Sequence, residues 1–192
     1  MNLESIRLTS DDMWQSSLVT ALITIILVAF LAWRIKRESF NQLRWPLAAA
    51  AGLFWAGYGL LLYQVFWDSY YRYFGANWMR EGGILVVMVP VAAGMAFVFH
   101  WLARRLPGIP LVSFCFLGGL EGLLEHLWGI YGLKILDVPM LQGINPLSIL
   151  AFAFPEYIFY WCVVIGIAVL IRMTGNAVKV LFFKFKSSEN HL

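Results

Sequence analysis

Apolar residues in this chain come in long runs rather than in alternation. Five such runs lie near Ser16–Trp33, Trp45–Trp67, Ile84–Ala103, Leu111–Leu133 and Leu147–Arg172, with short polar connections between them. A helix needs about 20 mostly apolar residues to cross a hydrocarbon core of about 30 Å. Each run meets that length, and the connections leave no room for a soluble domain. The predicted fold class is therefore all-α: a polytopic integral membrane protein of five transmembrane helices, one transmembrane domain over residues 1–192. No internal repeat and no low-complexity segment interrupts the pattern.

Composition agrees with the pattern. The chain is 61% hydrophobic and 13% charged, against about 25% charged in a soluble domain. Its formal net charge of +3 is too small, and too scattered, for a nucleic-acid partner. Cys115 and Cys162 both fall in apolar runs and read as buried thiols rather than a disulfide framework.

Lys and Arg set the expected orientation. Ten of the 14 fall on one side of the five-span scheme: Arg34, Lys36, Arg37 and Arg44 after the first span, Arg104 and Arg105 after the third, and Arg172, Lys179, Lys184 and Lys186 after the fifth. Arg7, Arg72, Arg80 and Lys134 fall on the other. The positive-inside rule makes the richer side cytoplasmic, so the N-terminus is expected outside and the C-terminus inside, in the cell (inner) membrane. Basic residues follow the first apolar run rather than precede it, which argues for a retained helix and against a cleaved signal peptide. Residues 173–192 read as a basic-aromatic cytoplasmic tail whose Phe182, Phe183 and Phe185 meet anionic headgroups. Between the second and third spans, Trp67, Tyr70, Tyr71, Tyr73, Phe74 and Trp78 form an expected outer aromatic belt, or a lid over an outward cavity.

Candidate chemistry enters through four residues inside the apolar runs: Glu121, Glu125, His126 and Glu156. An ionisable side chain at mid-bilayer costs roughly 2.5–3.5 kcal/mol on insertion scales, so such groups face a bundle interior and mark functional sites. On a helix, Gly118, Gly122, Glu125, Gly129 and Gly132 share a narrow stripe, with Glu121 at one edge and His126 beyond the other. Small residues at this spacing admit a neighbouring helix, so the stripe is expected to face protein. His126 is the expected partner of Glu121 or Glu125. In the fifth span, Pro155 is expected to free the carbonyl of Ala151 and kink the helix beside Glu156. Phe152, Phe159, Tyr160 and Val163 share the face of Glu156, and Trp128 follows His126. Phe152, Phe159, Tyr160 and Trp128 are the expected substrate-lining residues. Counting along the helices puts Glu121 about 15 Å from the inner edge and Glu156 about 14 Å from the outer one. One shared mid-membrane cavity holding Glu125 and Glu156 is the expectation. His100 is nearer the inner end of its span and is read as interfacial. Tyr58 and Gln64 are candidates to complete a polar network.

A protonated acid in an aromatic, water-poor cavity can act as general acid, with a second carboxylate or His126 as base. This suits proton-initiated cyclisation or double-bond isomerisation of an apolar lipid or isoprenoid. Pro155-Glu156 followed by Phe159 is similar to the proline-acid-aromatic stretch of small membrane lycopene cyclases, with Tyr157 where that family usually carries a second acid. The WDSYYRY run at Trp67–Tyr73 resembles part of the sterol isomerases related to emopamil-binding protein. Each likeness covers one short stretch and implies a class of chemistry, not membership. The other readings are a proton- or cation-coupled transporter or channel subunit, a metal site in which Glu121, Glu125, His126 and Glu156 ligate iron or manganese, and a structural subunit of a membrane complex. The cofactor is unknown. Membrane lipids and an apolar small molecule are the expected partners, and a homo-oligomer or larger complex stays open.

Overall fold

The computed structural model describes residues 9–65, 72–73, 84–134, 136–137 and 141–189. Among the described residues, six α-helices carry the fold: α1 Ser10–Arg34, α2 Arg37–Asn41, α3 Arg44–Val65, α4 Ile84–Ala103, α5 Pro110–His126 and α6 Pro146–Glu189. A π-helical turn, Leu127–Gly132, extends α5. Apart from the helices, β1 Arg72–Tyr73 pairs antiparallel with β2 Leu136–Asp137 in register Arg72↔Asp137 and Tyr73↔Leu136. Among the described residues, four helical stretches are long and apolar enough to cross a membrane: Ser10–Arg34, Leu85–Ala103, Pro110–Gly132 and Pro146–Ala177. The second apolar run of the sequence is helical as α3. The expected roles of Trp67, Tyr70, Tyr71, Phe74, Trp78 and the side chains of Gln64, Tyr73 and the basic-aromatic tail lie outside the described residues.

The helix ends follow local chemistry. α1 begins at Ser10, earlier than its apolar run, because Thr9 and Asp12 form a capping box. The Thr9 side chain accepts from the Asp12 N–H at 3.2 Å, and Asp12 accepts in turn from the Thr9 N–H at 2.8 Å, which occupies donors a helix start leaves open. α5 opens with Pro110 at its first turn, where a missing N–H costs nothing. α6 does not stop at Arg172; it continues as one helix of 44 residues.

The bundle hides small and aromatic residues and shows aliphatic ones. α6 touches α1, α3 and α5, and α4 packs on α3 and α5. Leu18, Leu22, Ile25 and Ile26 of α1 are each more than 60% exposed, as are Val86 of α4 and Leu170 of α6. In water such a surface would be an aggregation liability; facing acyl chains it costs nothing. Inside, Phe40, Leu47, Phe114, Trp161, Val164 and Ile165 are fully buried in one core. Trp161 stands edge-on to Phe99 and Phe114, with ring centroids 5.3 Å away in both cases.

One end of the bundle is tied by polar contacts. His100 Nε2 donates to the Phe40 carbonyl at 3.2 Å and its ring lies 5.0 Å from that of Phe40. Arg172 donates to the Ser39 carbonyl at 3.3 Å and to the Gln42 side chain. His100 is buried near the end of its helix and holds the α1–α3 connection against α4.

Candidate functional site

The glycines of α5 are notches for aromatic rings of α6. A Cβ added at Gly118 would collide with the indole of Trp161, at Gly122 with the ring and Cβ of Tyr157, and at Gly119 with Phe154 and Ile158. The notches at Gly118 and Gly122 each bring a donor within reach of an acid one turn on. Trp161 Nε1 donates to Glu121 Oε2 at 2.6 Å, and the Tyr157 hydroxyl donates to Glu125 Oε2. A step of four residues from Glu121 to Glu125 thus matches an opposite step of four from Trp161 to Tyr157, as two antiparallel helices with 3.6 residues per turn require. The stripe does face protein, as its spacing predicts. Gly119 joins it, whereas the nearest groups to Gly132 belong to Leu127 and Trp128 of its own turn.

On their other side the same two acids border a cavity of about 590 Å³. α3 contributes Trp55; α4 contributes Met88, Ala92, Met95 and Phe99; α5 contributes Leu117, Leu120 and Leu124 besides Glu121 and Glu125. Among the described residues, no basic side chain is in this wall. Leu124 at 62% exposed and Val91 at 49% border the cavity and the outer surface together. The cavity therefore reaches the lipid-facing side of the α4–α5 seam.

Glu156 takes a different direction. Adjacent helix positions diverge by about 100°, so Tyr157 points to α5 while Glu156 does not. Glu156 accepts from the Tyr160 hydroxyl, one turn on, and Tyr160 shares a hydrogen bond of 2.9 Å with Tyr58 of α3. Glu125 and Glu156 therefore belong to two adjoining hydrogen-bonded groups, and Glu156 is not in the wall of the cavity. The rings of Tyr157 and Tyr160 lie 5.6 Å apart, and Trp55 lies 5.7 Å from the one and 5.9 Å from the other. Tyr58 does complete a network, as expected of it.

Other expected site residues sit elsewhere. His126 is buried, but its Nδ1 donates to the Gly122 carbonyl at 2.9 Å on its own helix, not to either glutamate. Trp128 is 62% exposed. It lies four residues after Leu124, which is equally exposed, and continues that outward stripe. Phe152 packs on Met13, Ile144 and Ile149 at the opposite end of α6 from Arg172. Phe159 meets Tyr160 with ring centroids at 6.3 Å and does not line the cavity. At Pro155, the buried Thr24 hydroxyl donates at 3.2 Å to the carbonyl of Pro155 itself, not to that of Ala151. Among the described residues, no three His, Cys, Asp or Glu side chains come together to hold a metal ion.

Sequence reasoning missed Trp55, Met88 and Met95, whose only signal is apolar bulk. It also missed Trp161 and Tyr157 as partners of the acids. The four-residue spacing of Trp161 and Tyr157, equal to that of Glu121 and Glu125, was the available sign. Compared with known proteins, the chain matches no family model, no curated protein and no solved structure.

Proposed function

We infer that this protein is an intramembrane acid–base enzyme that isomerises or cyclises an apolar lipid or isoprenoid. The observation that carries the reading is the pair Glu121 and Glu125, one turn apart in the wall of an otherwise apolar cavity open toward the lipid phase. One carboxylic acid delivers a proton to a double bond. The other, as carboxylate, removes a proton from a neighbouring carbon. The proton count of the pair is restored by exchange between them. Trp55 and Phe99 present aromatic rings in the same wall, and a ring face stabilises the passing cation. Trp161 and Tyr157 hold the two carboxyls in place, and the apolar wall keeps water from capturing the cation. Glu156, Tyr160 and Tyr58 form a supporting proton store beside the cavity.

The test is Glu→Gln at positions 121 and 125 in cells lacking the gene, scored by complementation. Gln keeps size and hydrogen-bonding capacity but carries no exchangeable acid proton. Normal membrane levels with a loss of about 10²–10⁴-fold in activity, typical of general acid–base groups, is the expected result. Full complementation by both variants would remove the reading.

The hydroxyl chain Tyr58–Tyr160–Glu156 favours a second reading, a proton-coupled transporter or channel subunit, because intramembrane carriers use such relays. Proteoliposomes containing a pH dye decide between the two. Proton flux that Glu156→Gln abolishes belongs to the carrier.

The topology we propose has five spans, an external N-terminus and a cytoplasmic C-terminus in the cell membrane. Its support is the ten-to-four division of Lys and Arg, together with the contacts of Arg172 and His100 to the Ser39–Gln42 connection. These gather the basic segments at one end. Reporter fusions at both termini test it, and two termini on one side would refute it.

A further inference from the structure

We propose that the α3–α4 seam, at the end of the bundle where Arg44 and Arg105 stand, is a binding site for the headgroup of one anionic phospholipid, with its phosphate oxygens held between those two guanidinium groups. The proposal is independent of the chemistry of Glu121 and Glu125.

The site is built on rings. Trp45 and Phe97 join α3 to α4 edge to face, with centroids 4.8 Å apart. The Arg44 guanidinium lies over both, 5.3 Å from the Phe97 centroid and 5.7 Å from that of Trp45. The Arg105 guanidinium lies 3.8 Å from the centroid of Trp101. Phe97 and Trp101 are four residues apart and share one face of α4, so both guanidinium groups stand on one aromatic floor. Stacking uses the flat side of a guanidinium and leaves its N–H fork for an oxyanion. The step along the helix from Phe97 to Trp101 is about 6 Å. Charge-assisted N–H···O bonds of about 2.8 Å on opposite sides of one phosphate cover that step.

Charge and texture name the occupant. The two connections at this end carry Arg34, Lys36, Arg37, Arg44, Arg104 and Arg105 against one acid, Glu38. A net anion suits such an end, whereas a zwitterion brings a cation of its own to it. Trp45 is 70% exposed and Trp101 53%, and amphipathic rings of this kind stand at headgroup depth. Leu53 of α3, two turns from Trp45, and Val98 of α4, one turn from Trp101, are exposed as well. Guanidinium groups, then amphipathic rings, then bare hydrocarbon follow the order of a lipid itself. A free phosphate would use only the first of the three.

The experiment titrates the full chain in neutral detergent micelles with phosphatidylglycerol and with phosphatidylcholine of the same acyl chains, and counts bound lipid by native mass spectrometry. One phosphatidylglycerol per chain is expected, held about tenfold or more tighter than phosphatidylcholine. Arg44→Gln and Arg105→Gln should each weaken it about tenfold and leave phosphatidylcholine unchanged. Both side chains are exposed, so the variants keep the core, and an unaltered elution profile checks this. Arg105→Lys keeps the charge without the planar fork and should recover part of the loss. Arg34 stands over Trp33 of α1 at 5.5 Å, and Arg34→Gln is the control that should leave binding unchanged. Equal affinity for the two lipids, or indifference to the Arg44 and Arg105 variants, overturns the proposal. So does a loss with Arg34→Gln as large as with Arg44→Gln, which would reduce the site to diffuse attraction by a basic end. An excess of glycerol phosphate should not displace the lipid; displacement would give the site to a free phosphate and overturn the lipid assignment.

Discussion

Tyr157 reaches Glu125 because Gly122 leaves room for its ring. The hydroxyl of Tyr157 donates to the Glu125 carboxyl, and the ring behind it fills the space a Cβ at Gly122 would take. Packing and polar satisfaction are thus one event on α5 and α6. The same holds one turn away for Gly118, Trp161 and Glu121.

Removing the hydroxyl while keeping the ring separates the two contributions. Tyr157→Phe should keep the helices packed and lower stability by about 0.6–1.7 kcal/mol, the range for interhelical hydrogen bonds in membranes. Trp161→Phe should cost more, because a fully buried indole is lost together with its N–H donor. Unfolding of purified protein in mixed micelles reads both values, and a neutral Tyr157→Phe would deny the bond any weight.

Filling the notches tests packing alone. Gly118→Ala adds one methyl group against a fully buried Trp161, and overpacking of this kind costs about 1–3 kcal/mol. Gly122→Leu should reduce membrane yield outright. Gly57→Ala, where nothing lies within 4 Å of the added Cβ, is the control and should be tolerated.

Cys115 and Cys162 supply a native probe of the α5–α6 register. Both are buried, and their sulfurs are 3.7 Å apart. Copper-phenanthroline should join them within one chain, giving a faster band on a non-reducing gel that Cys115→Ala removes. No crosslink under conditions that oxidise other membrane thiols would place the helices in another register.

His100→Phe keeps a ring against Phe40 but removes the donor to the Phe40 carbonyl. A loss of about 1 kcal/mol is expected, with faster proteolysis of the connection between α1 and α3. Unchanged cleavage there would mean that Arg172 alone holds the segment.

The apolar runs made the helices legible, since burial in lipid requires only length and composition. The acids were legible as a site for the same reason: they are the positions the runs should not contain. Their partners were harder to read. Tyr160 is four residues from Glu156 on one helix, and that spacing is visible in the sequence. The pairing of Tyr157 with Glu125 depends on which face of α6 meets α5, and a helix apolar all round gives no such signal. Trp128 lies three residues after Glu125 but four after the exposed Leu124, and the spacing alone did not say which of those two faces it shares. The cavity was invisible for another reason. It is bounded by ordinary apolar residues of α3 and α4, and only the divergence of packed helices makes a space between them.

Equal spacing of the acids and their donors has a mechanical consequence. If α5 slid along α6 by half a turn, both bonds would break and both notches would meet the wrong side chains. A full turn, about 5.4 Å, restores one pair at most. It would set Glu125 beside Trp161 and leave Glu121 facing Ile165, or set Glu121 beside Tyr157 and leave Glu125 facing Ala153. The two helices therefore work like a two-tooth key in a lock with a single seated position. Any motion that opens the cavity must swing α4 away and leave that key in place.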